Sequence, residues 1–278
     1  MIEDIDNLPG GNEQLPDIIP RQALTRYLLI PFLVYLLWLL ETFLFAGNVH
    51  LFQRPEPAGL LLYTLVCCVL VGLVLPVFLM RRAFISGAVN MFQFGFRSLR
   101  RTVFAGSLTV LLVCAAVALQ NPFGADRSAF AAAFLLLLPA GASSVMVCWV
   151  LAGTHIQALV RFGGAPISIS IGIVMTAILF GLTSLVQFPG AVSPDTLFRY
   201  LSLGLLAAVF FFSVRDVWAA CVAVTGGLVY LVAGRLDAVL LHEALPAISV
   251  SAIIITGVLA IIHWFLSRRY ITVPVPSA

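Results

Sequence analysis

Long apolar stretches separated by short polar connections dominate the pattern along this chain. A helix needs about 20 mostly apolar residues to cross the roughly 30 Å hydrocarbon layer of a bilayer. Eight stretches meet this requirement, and we expect membrane spans at residues 27–47, 58–80, 102–120, 129–151, 166–188, 196–213, 217–233 and 247–266. The pattern predicts an all-α, polytopic membrane helix bundle over residues 27–267, with no soluble domain.

The composition leads to the same class, because 62% of the residues are hydrophobic and only 10% are charged. Such a chain is expected to have the lipid bilayer as its main partner and no nucleic acid partner. Five acidic residues precede the first apolar stretch, Glu3, Asp4, Asp6, Glu13 and Asp17, whereas a secretory signal begins with a basic segment. We therefore expect residues 1–26 to form an acidic cytoplasmic tail and residues 268–278 a second, short one.

The arginines set the expected orientation in the cell membrane, because basic residues concentrate in cytoplasmic loops. All fifteen basic residues are Arg, and the eight predicted spans place eleven of them on one side of the membrane and four on the other. The eleven are Arg21, Arg26, Arg81, Arg82, Arg97, Arg100, Arg101, Arg161, Arg215, Arg268 and Arg269. The four are Arg54, Arg127, Arg199 and Arg235. This distribution predicts that both termini are cytoplasmic.

Residues 81–101 are too polar to span the membrane, and their polar positions recur every three or four residues from Arg82 to Arg101. Apolar residues such as Val89 and Phe96 fall on the opposite face, so we expect an amphipathic helix in the membrane interface. Its guanidinium groups would bind anionic lipid headgroups. The predicted headgroup-binding residues are Arg81, Arg82, Arg97, Arg100 and Arg101. A connector packed against the other helices is the alternative interpretation.

Few ionisable side chains lie inside the predicted spans, and the clearest are Glu41 and His263. The four histidines occur in separate loops or spans without the spacing of metal ligands, so we expect neither a metal site nor a cofactor. The five cysteines all fall in apolar stretches, where free Cys behaves as a small hydrophobic residue. The residues alone therefore indicate no catalytic centre.

Residues 130–232 resemble the CAAX protease and bacteriocin-processing (CPBP) family of intramembrane proteases in layout. The family has Glu-Glu-x-x-x-Arg on its fourth span, Phe-x-x-x-His on its fifth and His-x-x-x-Asn on its seventh. In this chain Ser143 and Ser144 stand for the acidic pair, and Cys148 stands for the Arg. Phe180 is present on the fifth span, with Ser184 in place of the His. On the seventh span Val224 or Thr225 replaces the His, and Leu228 or Val229 replaces the Asn.

The resemblance implies a degenerate, non-catalytic relative, because no base or oxyanion donor remains at these positions. We expect Ser143, Ser144, Cys148 and Ser184 to face a common interior that binds a membrane-embedded peptide, a lipidated peptide or a partner protein. Two alternatives stay open. One is an active membrane endopeptidase with displaced catalytic residues, for instance Glu41 as the base, and the other is a permease or transporter subunit.

Overall fold

A computed structural model of the chain describes residues 28–85, 91–120, 123, 126–160, 164–189 and 193–267. Eight helices in these ranges are long and apolar enough to cross a membrane. They are α1 Ile30–Gly47, α2 Pro57–Ile85, α3 Leu99–Gln120, α4 Arg127–Leu159, α5 Gly164–Gln187, α6 Pro194–Val214, α7 Val217–Arg235 and α8 Leu245–Leu266. The described ranges contain no strand. The prediction of an all-α, eight-span membrane bundle is thus confirmed.

The helix boundaries follow from capping residues and proline. Asp126, Ser193 and Asp216 precede α4, α6 and α7, and each side chain accepts hydrogen bonds from backbone N–H groups of the first turn. The connection between α6 and α7 is only two residues long, with Arg215 in the left-handed region at φ 53°. We call the end of the bundle that carries this turn the hairpin end. The other end carries Gly47, Gln187 and the start of α4.

Helix α4 lies at the centre of the bundle, in contact with α1, α2, α5, α7 and α8. Small residues allow the helices to approach closely. A Cβ atom at Gly141 would overlap the hydroxyl of Thr225 on α7, and one at Gly72 of α2 would overlap Ser143. Helix α3 is peripheral: it packs mainly on α7 and buries only Thr102 and Thr109.

Helix α4 is longer than its apolar stretch predicts, because it runs eight residues beyond the expected end at Leu151. These last residues include Thr154, His155 and Gln157, all of which are buried. Thr154 donates to the carbonyl of Val150, and Gln157 accepts a hydrogen bond of 2.7 Å from Arg215. A polar helix end is stable here because the protein, rather than lipid, surrounds it.

The prediction of one amphipathic helix over 81–101 is wrong within the described part of that segment. After α2 ends at Ile85, residues 86–90 lie outside the described ranges. The chain then forms one short 3₁₀ turn, Met91–Phe94, and breaks at Gly95, where φ is 83°. Phe94 and Phe96 are both buried, and Gly95 accepts a backbone hydrogen bond from Val217 of α7. This part of the segment packs as a connector, which was the alternative interpretation.

The predicted tails, residues 1–26 and 268–278, lie outside the described residues, as do Arg21, Arg26, Arg161, Arg268 and Arg269. The described ranges also contain a short helix that the hydropathy pattern did not predict, Ala238–Glu243, between α7 and α8. Asp237 caps this helix through a bond of 2.8 Å from the Val239 N–H.

Candidate functional site

The predicted site positions are all inside the bundle. None of their side chains is more than 1% exposed. These positions are Ser143, Ser144 and Cys148 on α4, Ser184 on α5, and Val224 and Thr225 on α7. All six side chains are therefore buried between the helices.

The serines of this set bond to their own helices. Ser143 donates to the carbonyl of Pro139 at 2.9 Å and Ser144 to that of Ala140 at 2.7 Å. Ser184 donates to the carbonyl of Phe180 at 2.9 Å. This i to i−4 bonding is the ordinary way in which a hydroxyl is satisfied inside a helix. Each of these hydroxyl protons is thus directed to a backbone carbonyl and not to a side-chain base.

Helix α4 uses different sides to contact its neighbours at these positions. Ser143 meets α2 at Gly72, close to the Cys68 thiol. Cys148 lies close to Thr183 of α5, and Trp149 packs on Phe180 with ring centroids 5.0 Å apart. Gly141 meets Thr225 of α7. The structure thus places the predicted residues in three helix contacts around α4.

A second polar cluster, which sequence reasoning missed, connects α1, α2 and α5. The Tyr35 hydroxyl donates to the carbonyl of Leu179 at 2.8 Å and accepts from Thr183 at 3.3 Å. The Tyr63 hydroxyl accepts from Gln187 at 3.5 Å and lies close to the Cys68 thiol. The only signal in the sequence was polar residues at four-residue spacing on α5, Thr183 and Gln187.

The hairpin end holds a dense set of bonds around Arg215. Its guanidinium donates to the Gln93 carbonyl at 2.9 Å and to the Gln157 side chain at 2.7 Å, and it lies 4.7 Å from the centre of the Phe212 ring. Burial, together with the neighbouring Arg97 guanidinium, lowers the pKa of Arg215 to about 10. Arg215 therefore remains charged near neutral pH.

Two of the five predicted headgroup-binding arginines donate hydrogen bonds within the protein. Arg97 donates to the Arg215 carbonyl at 3.1 Å and Arg101 to the Val214 carbonyl at 3.4 Å. These carbonyls end α6, where the helix dipole favours a positive charge. Arg81, Arg82 and Arg100 are exposed, and Arg82 lies 4.5 Å from the centre of the Phe78 ring.

A groove of about 560 Å³ opens between α3, α6 and α7. Its walls are almost entirely apolar, with Val113 and Ala116 of α3, Leu206 of α6 and Ala223 of α7 among the lining residues. Gln120 and Tyr230 are the polar residues toward the end that is opposite the hairpin end. Its volume lies in the usual range for small-molecule sites, about 300–1,000 Å³.

Comparison with known proteins adds no relative, because no family model, no curated protein and no solved structure matches this chain.

Proposed function

We propose that this chain is a non-catalytic protein of the cell membrane that binds a lipid-modified peptide, with the lipid chain in the groove between α3, α6 and α7. The observation that carries the proposal is the groove itself, which is apolar and about 560 Å³ in volume. It lies along helices long enough to cross the bilayer, so its opening faces hydrocarbon. A flexible apolar chain fits such a groove without leaving polar groups unpaired.

The chemistry of the predicted site positions supports the non-catalytic part. Ser143, Ser144 and Ser184 direct their hydroxyls to carbonyls of their own helices. Hydrolysis by a CPBP-type enzyme would need a carboxylate to activate water and donors to stabilise the oxyanion. The resemblance to that family in layout supports a lipidated peptide as the partner. An active endopeptidase that uses Glu41 as its base remains the alternative.

Photo-crosslinking tests the proposal with a farnesylated peptide that carries a diazirine in its isoprenoid chain. The purified full chain should be labelled saturably on α3, α6 or α7, and the unlipidated peptide should not compete. Ala116→Trp fills the groove and should weaken labelling at least about tenfold, a loss of about 1.4 kcal/mol. Ala118→Trp is the matched control, because Ala118 is exposed on α3 and does not line the groove.

Equal labelling of the two variants, or labelling confined to other helices, would refute the groove as the binding site. The same samples report on catalysis. Recovery of cleaved peptide, abolished by Glu41→Gln, would retain the family relation and overturn the non-catalytic assignment.

A further inference from the structure

Several polar atoms on α1, α2 and α5 are buried but have no hydrogen-bond partner among the described residues. They are Trp38 Nε1, Glu41 Oε2, Thr42 Oγ1, Thr64 Oγ1 and Gln187 Oε1. Trp38, Thr42, Thr64 and Gln187 are at most 1% exposed. A buried polar group without a partner destabilises a protein, so a set of five calls for a physical reason.

The two threonines differ from most buried hydroxyls in the spans, and they share this difference with Thr225 of α7 and Ser251 of α8. Most buried Ser and Thr side chains donate to a carbonyl three or four residues earlier in the same helix, the low-energy arrangement for these residues. Those that do so include Thr109, Ser143, Ser144, Thr154, Thr176, Thr183 and Ser184. Thr42 and Thr64 do not, so neither the proton nor the lone pairs of their hydroxyls have a partner among the described residues.

Contacts between the three helices bring together the segments that carry these atoms. The Glu41 carboxylate of α1 is close enough to interact electrostatically with Cys67, which lies one turn from Thr64 on α2. Gln187 of α5 bonds to Tyr63, the residue before Thr64. A Cβ atom at Gly47 would overlap the backbone of Val186, so the ends of α1 and α5 also touch. Trp38 and Thr42 lie on the buried face of α1, and Glu41, the residue before Thr42, is half-buried.

The charge where these segments meet is also unbalanced. Glu41 makes no salt bridge among the described residues, and its Oε2 atom is shielded from solvent. An ionised carboxylate in a membrane helix needs a positive partner. The side chains named around Glu41 are neutral, and the Arg235 guanidinium at this end of the bundle donates to the Phe188 carbonyl instead. Four of the five unpartnered atoms are oxygens, from a carboxylate, two hydroxyls and an amide. Oxygen donors of this kind suit hard cations.

We propose that Glu41, Thr42, Thr64 and Gln187 bind a monovalent alkali cation, Na⁺ or K⁺, between α1, α2 and α5. One carboxylate supplies a single negative charge, which a monovalent ion balances and a divalent ion would exceed. This inference goes beyond the proposed function, because the groove is lined by other residues on α3, α4, α6 and α7. The cation site and the lipid-binding groove can therefore be refuted independently.

Thermal unfolding of the purified full chain tests the cation site. The midpoint is measured with rising NaCl or KCl, and choline chloride keeps the ionic strength constant. A ligand that binds only the folded state raises the midpoint saturably. We expect this rise in the wild type and its loss in Glu41→Gln. Thr64→Val should weaken the apparent affinity at least about tenfold. Thr176→Val is the matched control, because Thr176 is equally buried but donates to Gly172.

The two alkali ions are distinguished by their own titrations, and a saturable rise with either supports the site. Several results would overturn it. One is an equal rise in choline chloride alone. Another is a rise with MgCl₂ but with neither alkali salt. A third is full stabilisation at acid pH without alkali ions, which would show that a proton rather than a metal cation balances Glu41.

Because a variant can fail to fold, binding of ²²Na⁺ to the wild type, with competition by unlabelled NaCl and KCl, gives an independent measurement. No saturable binding of ²²Na⁺, together with no rise of the unfolding midpoint in KCl, would contradict the proposal.

Discussion

The indole of Trp218 on α7 donates a hydrogen bond of 2.9 Å to Nδ1 of His263 on α8. An indole N–H can only donate, so Nδ1 is the accepting nitrogen of the imidazole. Nε2 therefore carries the proton, and it lies 2.9 Å from the carbonyl of Arg97, to which it donates. A neutral imidazole with both nitrogens bonded thus connects α7, α8 and the segment before α3. The Phe96 ring packs edge-on against it at 5.8 Å.

This connection predicts energetic coupling between Trp218 and His263. Trp218→Phe keeps an aromatic ring but leaves Nδ1 without its donor, and His263→Phe removes the acceptor. Each variant should lower the free energy of unfolding by about 1 kcal/mol or more. The double variant should lose less than the sum, with a coupling energy of about 0.5–1.5 kcal/mol. Chemical unfolding in detergent measures all four proteins, and strict additivity would show that the bond contributes nothing.

The fold was predictable to the extent that hydropathy governs it. Length and apolar content identify all eight spans, since lipid leaves a helix no other way to satisfy its backbone. The errors occur where the protein replaces lipid as the surrounding medium. His155 and Gln157 look like the end of a span, yet they continue α4 because neighbouring helices bury them. Gly95 stops a predicted helix because Val217, more than 100 residues later, binds its carbonyl.

The close contact between α4 and α7 predicts that even one added methyl group at Gly141 lowers the stability of the bundle. Gly141→Ala places a methyl group against the hydroxyl and backbone of Thr225. Overpacking of this kind costs about 1–3 kcal/mol of stability. Gly257→Ala on α8 is the control, because a Cβ there meets nothing within 4 Å. It should be neutral or stabilising by up to about 1 kcal/mol, through helix propensity. Equal unfolding midpoints for the two variants would contradict the packing.

The candidate site was less predictable than the fold. Matching motif positions suggested Ser143, Cys148 and Ser184 but carried no information about which helix faces meet. The partners found for two of them, Cys68 and Thr183, lie outside the motifs. The residue type alone does not show whether a hydroxyl donates to its own backbone or has no partner within the protein. The structure distinguishes Ser184, which donates to the Phe180 carbonyl of its own helix, from Thr64, whose hydroxyl has no partner among the described residues.

The arginine distribution predicts that both termini are cytoplasmic, since eleven of the fifteen residues fall on one side. A reporter that is active only in the cytoplasm, fused after Ala278, should be active. A reporter that needs export should be inactive at the same position and active in the connection around Arg54. If the two reporters give the opposite activities at both positions, the bundle has the inverted orientation. If they show only that the C-terminus is exported, the assigned position of that terminus is wrong.

The connector before α3 predicts a labelling pattern that separates it from an amphipathic helix. On one continuous helix, Phe94 would lie four residues after Asn90 and share the polar face with Gln93, so both positions would be accessible. In the structure Gln93 is exposed, whereas Phe94 is fully buried. A membrane-impermeant maleimide applied to the cytoplasmic face should therefore label Gln93→Cys at least about ten times faster than Phe94→Cys.

The wild type measures the background from the native cysteines, and unfolding in detergent followed by labelling confirms that Phe94→Cys reacts once it is exposed. Similar rates for both variants in the folded protein would restore the surface helix.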